Sequence, residues 1–229
     1  MTTRDHKIND LDIAFEIIMD AIVTQKLAPG QKVSENIFND QFGISRTISR
    51  NVIERLTTKH FLTSVSQRVT QVASLTLLDI KQNFMLRKLL MPEAFAIASS
   101  NVDFSELEKL NQEIDNLLPI NDDTAALQVL KTNKELNLAI CAKAGYPLML
   151  DWAQQLEDMA MRVYWLYIKT NQQYPYSREQ QHKIFDILKS KEPAAIQNTV
   201  YDMLGQTEDR ILNVVFSNEQ FCTQNLLMS

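Results

Sequence analysis

The densest chemical potential in this sequence lies between Ser45 and Arg68, where five cations (Arg46, Arg50, Arg55, Lys59 and Arg68) stand against one acid, Glu54. Arg46, Thr47, Arg50 and Asn51 recur at helical spacing, so a single helix face carries all four. On such a face the two guanidinium groups can pair with guanine edges and the amide with adenine. Ser45, immediately ahead, can cap the helix, and the free N–H groups of its first turn can accept a phosphate. A local charge of +4 within an acidic chain points to a polyanion-binding face. Charge alone does not separate this reading from a solvated basic face, so the elements around it must decide.

The other reactive residue types carry less. His6, His60 and His182 are scattered too widely for a multi-histidine metal site, and Cys141 and Cys222 fit no metal or redox spacing, which suits a reducing compartment. There is no Gly-rich phosphate loop, nucleophile elbow or HExxH. His182 near Glu179 or Asp186 reads as an exposed helical ion pair rather than an acid–base couple. The sequence therefore predicts no enzyme, no metal and no cofactor.

The chain has 229 residues, 45% hydrophobic and 22% charged, with a net charge of −5. Only 4 glycines and 6 prolines are available to punctuate it, too few for many short strands, so the expected class is mainly α. Its apolar runs fall far short of the ~20 residues of a membrane helix, and the start MTTRDHKIND is polar. Both features predict a cytoplasmic protein with no membrane partner. Charge also locates a boundary: residues 1–76 carry 9 Lys/Arg and 8 Asp/Glu, leaving 14 and 20 for residues 77–229.

The first segment opens with a helix over about Leu11 to Lys26, apolar at Leu11, Ala14, Ile17, Ile18, Ala21 and Ile22 and acidic on its solvent face at Asp12, Glu16 and Asp20. Pro29-Gly30 ends it, Ser34 caps a short second helix, and Gly43 stops that one. A third helix follows with Ser45 as cap and Ile48, Val52, Ile53 and Leu56 as its buried side. Phe61–Ser64 and Val69–Val72 then form a hairpin joined at Ser66-Gln67-Arg68. Three helices and a hairpin make a winged helix-turn-helix. From Leu77 the pattern predicts helices near 77–99, 104–118, 123–144, 148–172, 177–191 and 194–216, an antiparallel all-α bundle, with Pro92 kinking the first and 217–229 as a tail.

KLAPGQKVSE, FGISRTISRNVIERL and the Phe61-Leu62 hairpin together resemble the DNA-binding domain of GntR-family bacterial transcription regulators. The matching positions are Pro29-Gly30, Gly43, Ser45-Arg46, Arg50 and Leu56. The resemblance implies that Arg46 and Arg50 make the principal DNA contacts, with Ser45, Thr47 and Asn51 beside them and Gln67 and Arg68 at the wing tip. Three positions depart from the family pattern: Gln67 for a glycine, Asn51 for an acid, and Asn36 for a residue that can be basic.

The second segment, 77–229, resembles the FadR-type effector domain of that family, an FCD-like helical domain, over most of residues 78–215, through Arg87-Lys88-Leu89-Leu90 with Pro92 and through Ala144-Gly145-Tyr146-Pro147-Leu148. In many relatives its pocket holds a divalent metal on an Asp and three His, with a small carboxylate effector. The matched positions here are Asn133, Asn137, Gln181 and Met203, with His182 one residue from register. Amides and a thioether make no site for a borderline divalent ion, so the resemblance predicts a metal-free, amide-lined pocket. Arg87 and Arg162 are candidates either to anchor a carboxylate or to bridge helices. Tyr164, Trp165 and Tyr167 with Met159 and Met161 read as core or dimer contact. The expected partners are a palindromic double-stranded operator, a second copy of the chain, and a small organic effector, a carboxylate among the candidates. The competing reading is a helical protein-interaction adaptor without specific DNA binding.

Overall fold

The computed structural model describes residues 2–66 and 69–217, with side chains from residue 10 onward apart from those of 178, 216 and 217. Gln67, Arg68 and the segment 218–229 lie outside the described residues, and with them the expected wing tip and tail. The chain divides into two compact units, Met1–Leu75 and Thr76–Ser229. It is mainly helical, with one small antiparallel sheet in the first unit.

The first unit contains α1 (Thr2–Val23), β1 (Lys32–Val33), α2 (Glu35–Phe42), α3 (Arg46–Thr58), β2 (Leu62–Ser66) and β3 (Val69–Val72). Of the expected apolar face of α1, Ala14, Ile18, Ala21 and Ile22 are buried and are joined by Phe15 and Met19, while Ile17 is 41% exposed. Phe15 and Met19 widen the same buried seam on one side, and Ile17 lies at its solvent edge on the other. Phe15 lies under the Arg55 guanidinium, 4.0 Å from its ring centroid, and Arg55 also pairs with Asp12 at 2.6 Å. The acidic face of α1 is thus partly a packing contact with α3. The helix ends at Val23, three residues short of the expected Lys26, because Gln25 turns left-handed (φ 59) and the Leu27 N–H bonds back to Ala21 O.

The wing is a three-stranded sheet in the order β1-β3-β2, not the two-stranded hairpin the sequence suggests. Two residues are too few to show a period of two, so β1 is invisible in the pattern. Gly30 at φ 77 makes the turn that lets its own N–H bond to Val72 O while Gln31 O accepts from Val72.

In the second unit α4 (Leu77–Ala98), α5 (Phe104–Asn116), α6 (Asp123–Ala142), α7 (Pro147–Asn171), α8 (Arg178–Ser190) and α9 (Pro193–Ser217) follow in order. Their starts are written in capping residues. Thr76 and Asp79 form a reciprocal capping box, as do Ser177 and Gln180, while Asp103 and Asp122 cap α5 and α6. The central helix is α4, which packs on α6, α7 and α9. Pro92 lies buried within it, in an unbroken helical span. Tyr164, Trp165, Tyr167 and Met161 are buried core residues of α7. Among the described residues no helix is long and apolar enough to cross a membrane.

Candidate nucleic-acid interface and helical cavity

The turn between α2 and α3 sets how the basic face is presented. Gly43 caps α2 in the left-handed region (φ 68), its N–H bonding to Asn39 O at 3.0 Å. The next carbonyl, Ile44 O, accepts from both Asn39 Nδ2 at 3.0 Å and the buried Ser49 hydroxyl at 3.3 Å. Sequence reasoning missed Ser49, which sits between Val52 and the turn on the buried side of α3; a polar residue in an otherwise apolar stripe was the available signal. Ser45 caps α3 through Ile48 N at 3.4 Å. With that side fixed inward, Arg46, Thr47, Arg50 and Asn51 are all exposed.

The face has an internal counterion that the sequence did not reveal. Arg50 Nε donates to Glu35 Oε1 at 2.8 Å, across from α2 to α3. This hydrogen bond, with the fields of Arg50 and Arg46 added, holds the Glu35 carboxyl below its usual range. Arg46 makes no such hydrogen-bonded ion pair among the described residues, so the two arginines enter any encounter with an anion differently.

In the second unit a cavity of about 30 Å³ opens between four helices. Arg87, Met91 and Phe95 face it from α4, Asn133, Leu136, Asn137 and Ile140 from α6, Gln181, Ile184 and Phe185 from α8, and Val200, Met203 and Leu204 from α9, with Tyr176 ahead of α8. Each set repeats every three or four residues, one inward stripe per helix. The four positions matched to metal ligands, Asn133, Asn137, Gln181 and Met203, therefore face one space. Three amides and a thioether do not fit a borderline divalent ion there. Among the described residues no group of three or more His, Cys, Asp or Glu could hold a metal ion. His182 points away from the cavity: its side chain is 60% exposed and lies 3.9 Å from Asp115, not from Glu179 or Asp186.

The two arginines proposed for carboxylate binding part company. Arg87 lines the cavity, yet its Nη2 bonds Glu157 at 2.7 Å, both side chains being 1% exposed, and its Nη1 donates to the Tyr164 phenol, which in turn bonds Tyr176. Burial, the largest single influence, would lower the Arg87 pKa, but Glu157, Tyr164 and Tyr176 together more than offset it and the guanidinium stays protonated. Arg162 does not line the cavity. Burial pushes its pKa down to about 10, against the opposing field of Asp79. It remains charged at neutral pH as a structural group of α7.

Residues 12–72 match the gntR family of bacterial regulatory proteins, and residues 82–206, more than half the chain, match the FCD domain. The chain belongs to the GntR family. Its fold is similar to that of E. coli McbR/YncC, with a TM-score of 0.73 and 18% identity over 89% of this chain and 97% of that one. It is also similar to a putative transcriptional regulator GntR from Rhodococcus sp. RHA1, with a TM-score of 0.69 and 17% identity over 89% and 97%. No curated protein sequence matches it. A GntR DNA-binding domain joined to an FCD effector-binding domain makes this protein a DNA-binding transcription regulator modulated by a ligand.

Proposed function

We propose that this GntR-family regulator acts in the cytoplasm as a homodimeric repressor on a palindromic operator, residues 1–76 reading DNA and residues 77–229 dimerising and binding the effector. The observation that carries the reading head is the exposed quartet Arg46, Thr47, Arg50 and Asn51 on a helix whose opposite side is pinned by Ser49 and Ile44. Arg46 and Arg50 read guanine edges, Asn51 reads adenine, and Ser45 with the first N–H groups of α3 holds a phosphate. Gln67 and Arg68 complete the contact from the wing. One such head reads a half-site, so useful affinity requires two at fixed spacing. The cavity faced by Arg87, Asn133, Asn137, Gln181 and Met203 is the effector site; an occupant shifts the paired heads by its different affinity for their two arrangements.

The test is fluorescence anisotropy on the DNA upstream of the protein's own gene, at several salt concentrations, against a scrambled duplex. Preference for the native fragment is expected, with log K falling about 0.9 per phosphate contact. Arg46→Ala and Arg50→Ala should each weaken specific binding by ~1–3 kcal/mol while sedimentation still finds a dimer. Unchanged affinity in both variants would move the reading surface elsewhere.

A further inference from the structure

The helical cavity has an electrostatic character of its own. Arg87 is the one charged side chain among its lining residues, and that charge is already matched by Glu157 at 2.7 Å. The pair is buried and neutral overall. A carboxylate entering this space would bring a second anion toward Glu157 and lose its hydration without a free cation to meet it. It could claim Arg87 only by stripping Glu157 of its partner.

The cavity does offer free hydrogen-bonding capacity of another kind. Gln181 is 6% exposed, and neither its Nε2 nor its Oε1 has a hydrogen-bond partner. One buried donor and one buried acceptor, side by side, are left open on the cavity wall. Exchanging the two atoms leaves one of each, so the conclusion is independent of which way the amide is turned. The group complementary to such an amide is another amide edge, which closes two N–H···O bonds at once. A carboxylate offers acceptors only and leaves the Gln181 oxygen unmet; its protonated form has the right edge but is a small minority at neutral pH. Across the space Asn133, also 6% exposed, and Asn137 supply further neutral donors and acceptors, while Phe95, Ile184 and Leu204 provide apolar wall.

Resting on the reading of this cavity as the effector site, we propose that its ligand is a small uncharged molecule presenting an N–H donor beside a C=O acceptor, a carboxamide or lactam edge, on an apolar body. Gln181 pairs with that edge, and the Arg87–Glu157 pair stays intact behind it.

The experiment titrates ¹⁵N-labelled full-length protein with isobutyramide and, at matched concentration and ionic strength, with isobutyrate, its charged isostere. The Gln181 side-chain amide signal is assigned by its loss in Gln181→Met, a substitution of similar volume that removes an unpartnered buried amide and so preserves folding. Isobutyramide is expected to shift the Gln181 signal and to bind about tenfold more tightly than isobutyrate, as an unmet buried polar group would dictate. Gln181→Met should lose that preference, and Glu157→Gln, which frees Arg87, should raise isobutyrate affinity. Equal or tighter binding of isobutyrate to the native protein overturns the proposal, as does no shift at Gln181 with either compound. If isobutyrate wins and Gln181→Met abolishes it, the cavity remains the effector site and only the uncharged class is wrong. If binding of both is indifferent to Gln181, the effector reading of the cavity falls too, while salt-dependent DNA binding of the same sample stands separately.

Discussion

Replacing Glu157 by Gln keeps the shape of the side chain and an oxygen facing Arg87, and removes only the charge. At 2.7 Å, with an effective dielectric constant of about 20, the lost attraction is roughly 6 kcal/mol before compensation. The amide oxygen still accepts one hydrogen bond, and Tyr164 still accepts another, so part of this is retained. What remains is a buried cation without a counterion, for which a net loss of about 3–5 kcal/mol is expected. For a unit of this size each kcal/mol moves the midpoint by about 2–4 °C, so Tm should fall by roughly 6–20 °C. Both tryptophans, Trp152 and Trp165, lie in the second unit, so their fluorescence during thermal and urea unfolding reports that unit without the DNA-binding one. The double variant Arg87→Met, Glu157→Leu removes both charges and should recover most of the loss. A loss below about 1 kcal/mol in Glu157→Gln, or a double variant no more stable than the single one, would refute the claim that this pair is matched in a dry site.

Three further outcomes are expected. Gly43→Ala should cost the first unit about 1 kcal/mol by urea unfolding: no atom crowds the added Cβ, so the loss reports the left-handed backbone alone, and a neutral result would mean the turn relaxes. Glu35→Gln should raise affinity for scrambled and native duplex alike and steepen the salt dependence by up to about one contact, because Arg50 no longer exchanges its own counterion for a phosphate; an unchanged slope and affinity would mean that Glu35 does not compete with DNA for Arg50. Burial pushes the Cys141 thiol up to about 12 from near 9, so the unfolded chain loses this proton first as pH rises and stability falls above about pH 9. The stability gap between the native protein and Cys141→Ala should therefore narrow by roughly 1 kcal/mol between about pH 9 and about pH 10, and parallel pH profiles would show that the thiol is not the group responsible.

Helix boundaries in the second unit were legible because they are local. Thr76, Asp103, Asp122 and Ser177 cap from their own side chains, and Pro147 and Pro193 occupy first-turn positions. The α2–α3 turn was legible for the same reason, Gly43 and Ser45 announcing it. What the sequence hid depends on distance along the chain. That Phe15 packs under a guanidinium depends on Arg55, some forty residues away, and β1 exists only because β3 pairs with it. The inward positions of Asn133, Asn137, Gln181 and Met203 could be anticipated from a family resemblance, and helical spacing accounts for each stripe. The separation of Arg87 from Arg162 could not, since both are buried arginines on adjacent helices and only the position of Glu157 distinguishes them.

That separation also bears on how the two units use charge. On the DNA-binding unit Arg50 keeps an exposed partner, Glu35, that water and salt already screen, so exchanging it for a phosphate costs little and can happen in every encounter. In the helical unit Arg87 keeps Glu157 in a site where exchange would strand a buried carboxylate. The same residue type is thus available to an anion in one place and withheld from it in the other. An organic acid entering the cavity thus finds its one charged lining residue, Arg87, already paired. Discrimination there must come from hydrogen-bond pattern and shape, which a site with Gln181 unpartnered and Asn133 nearby is equipped to read.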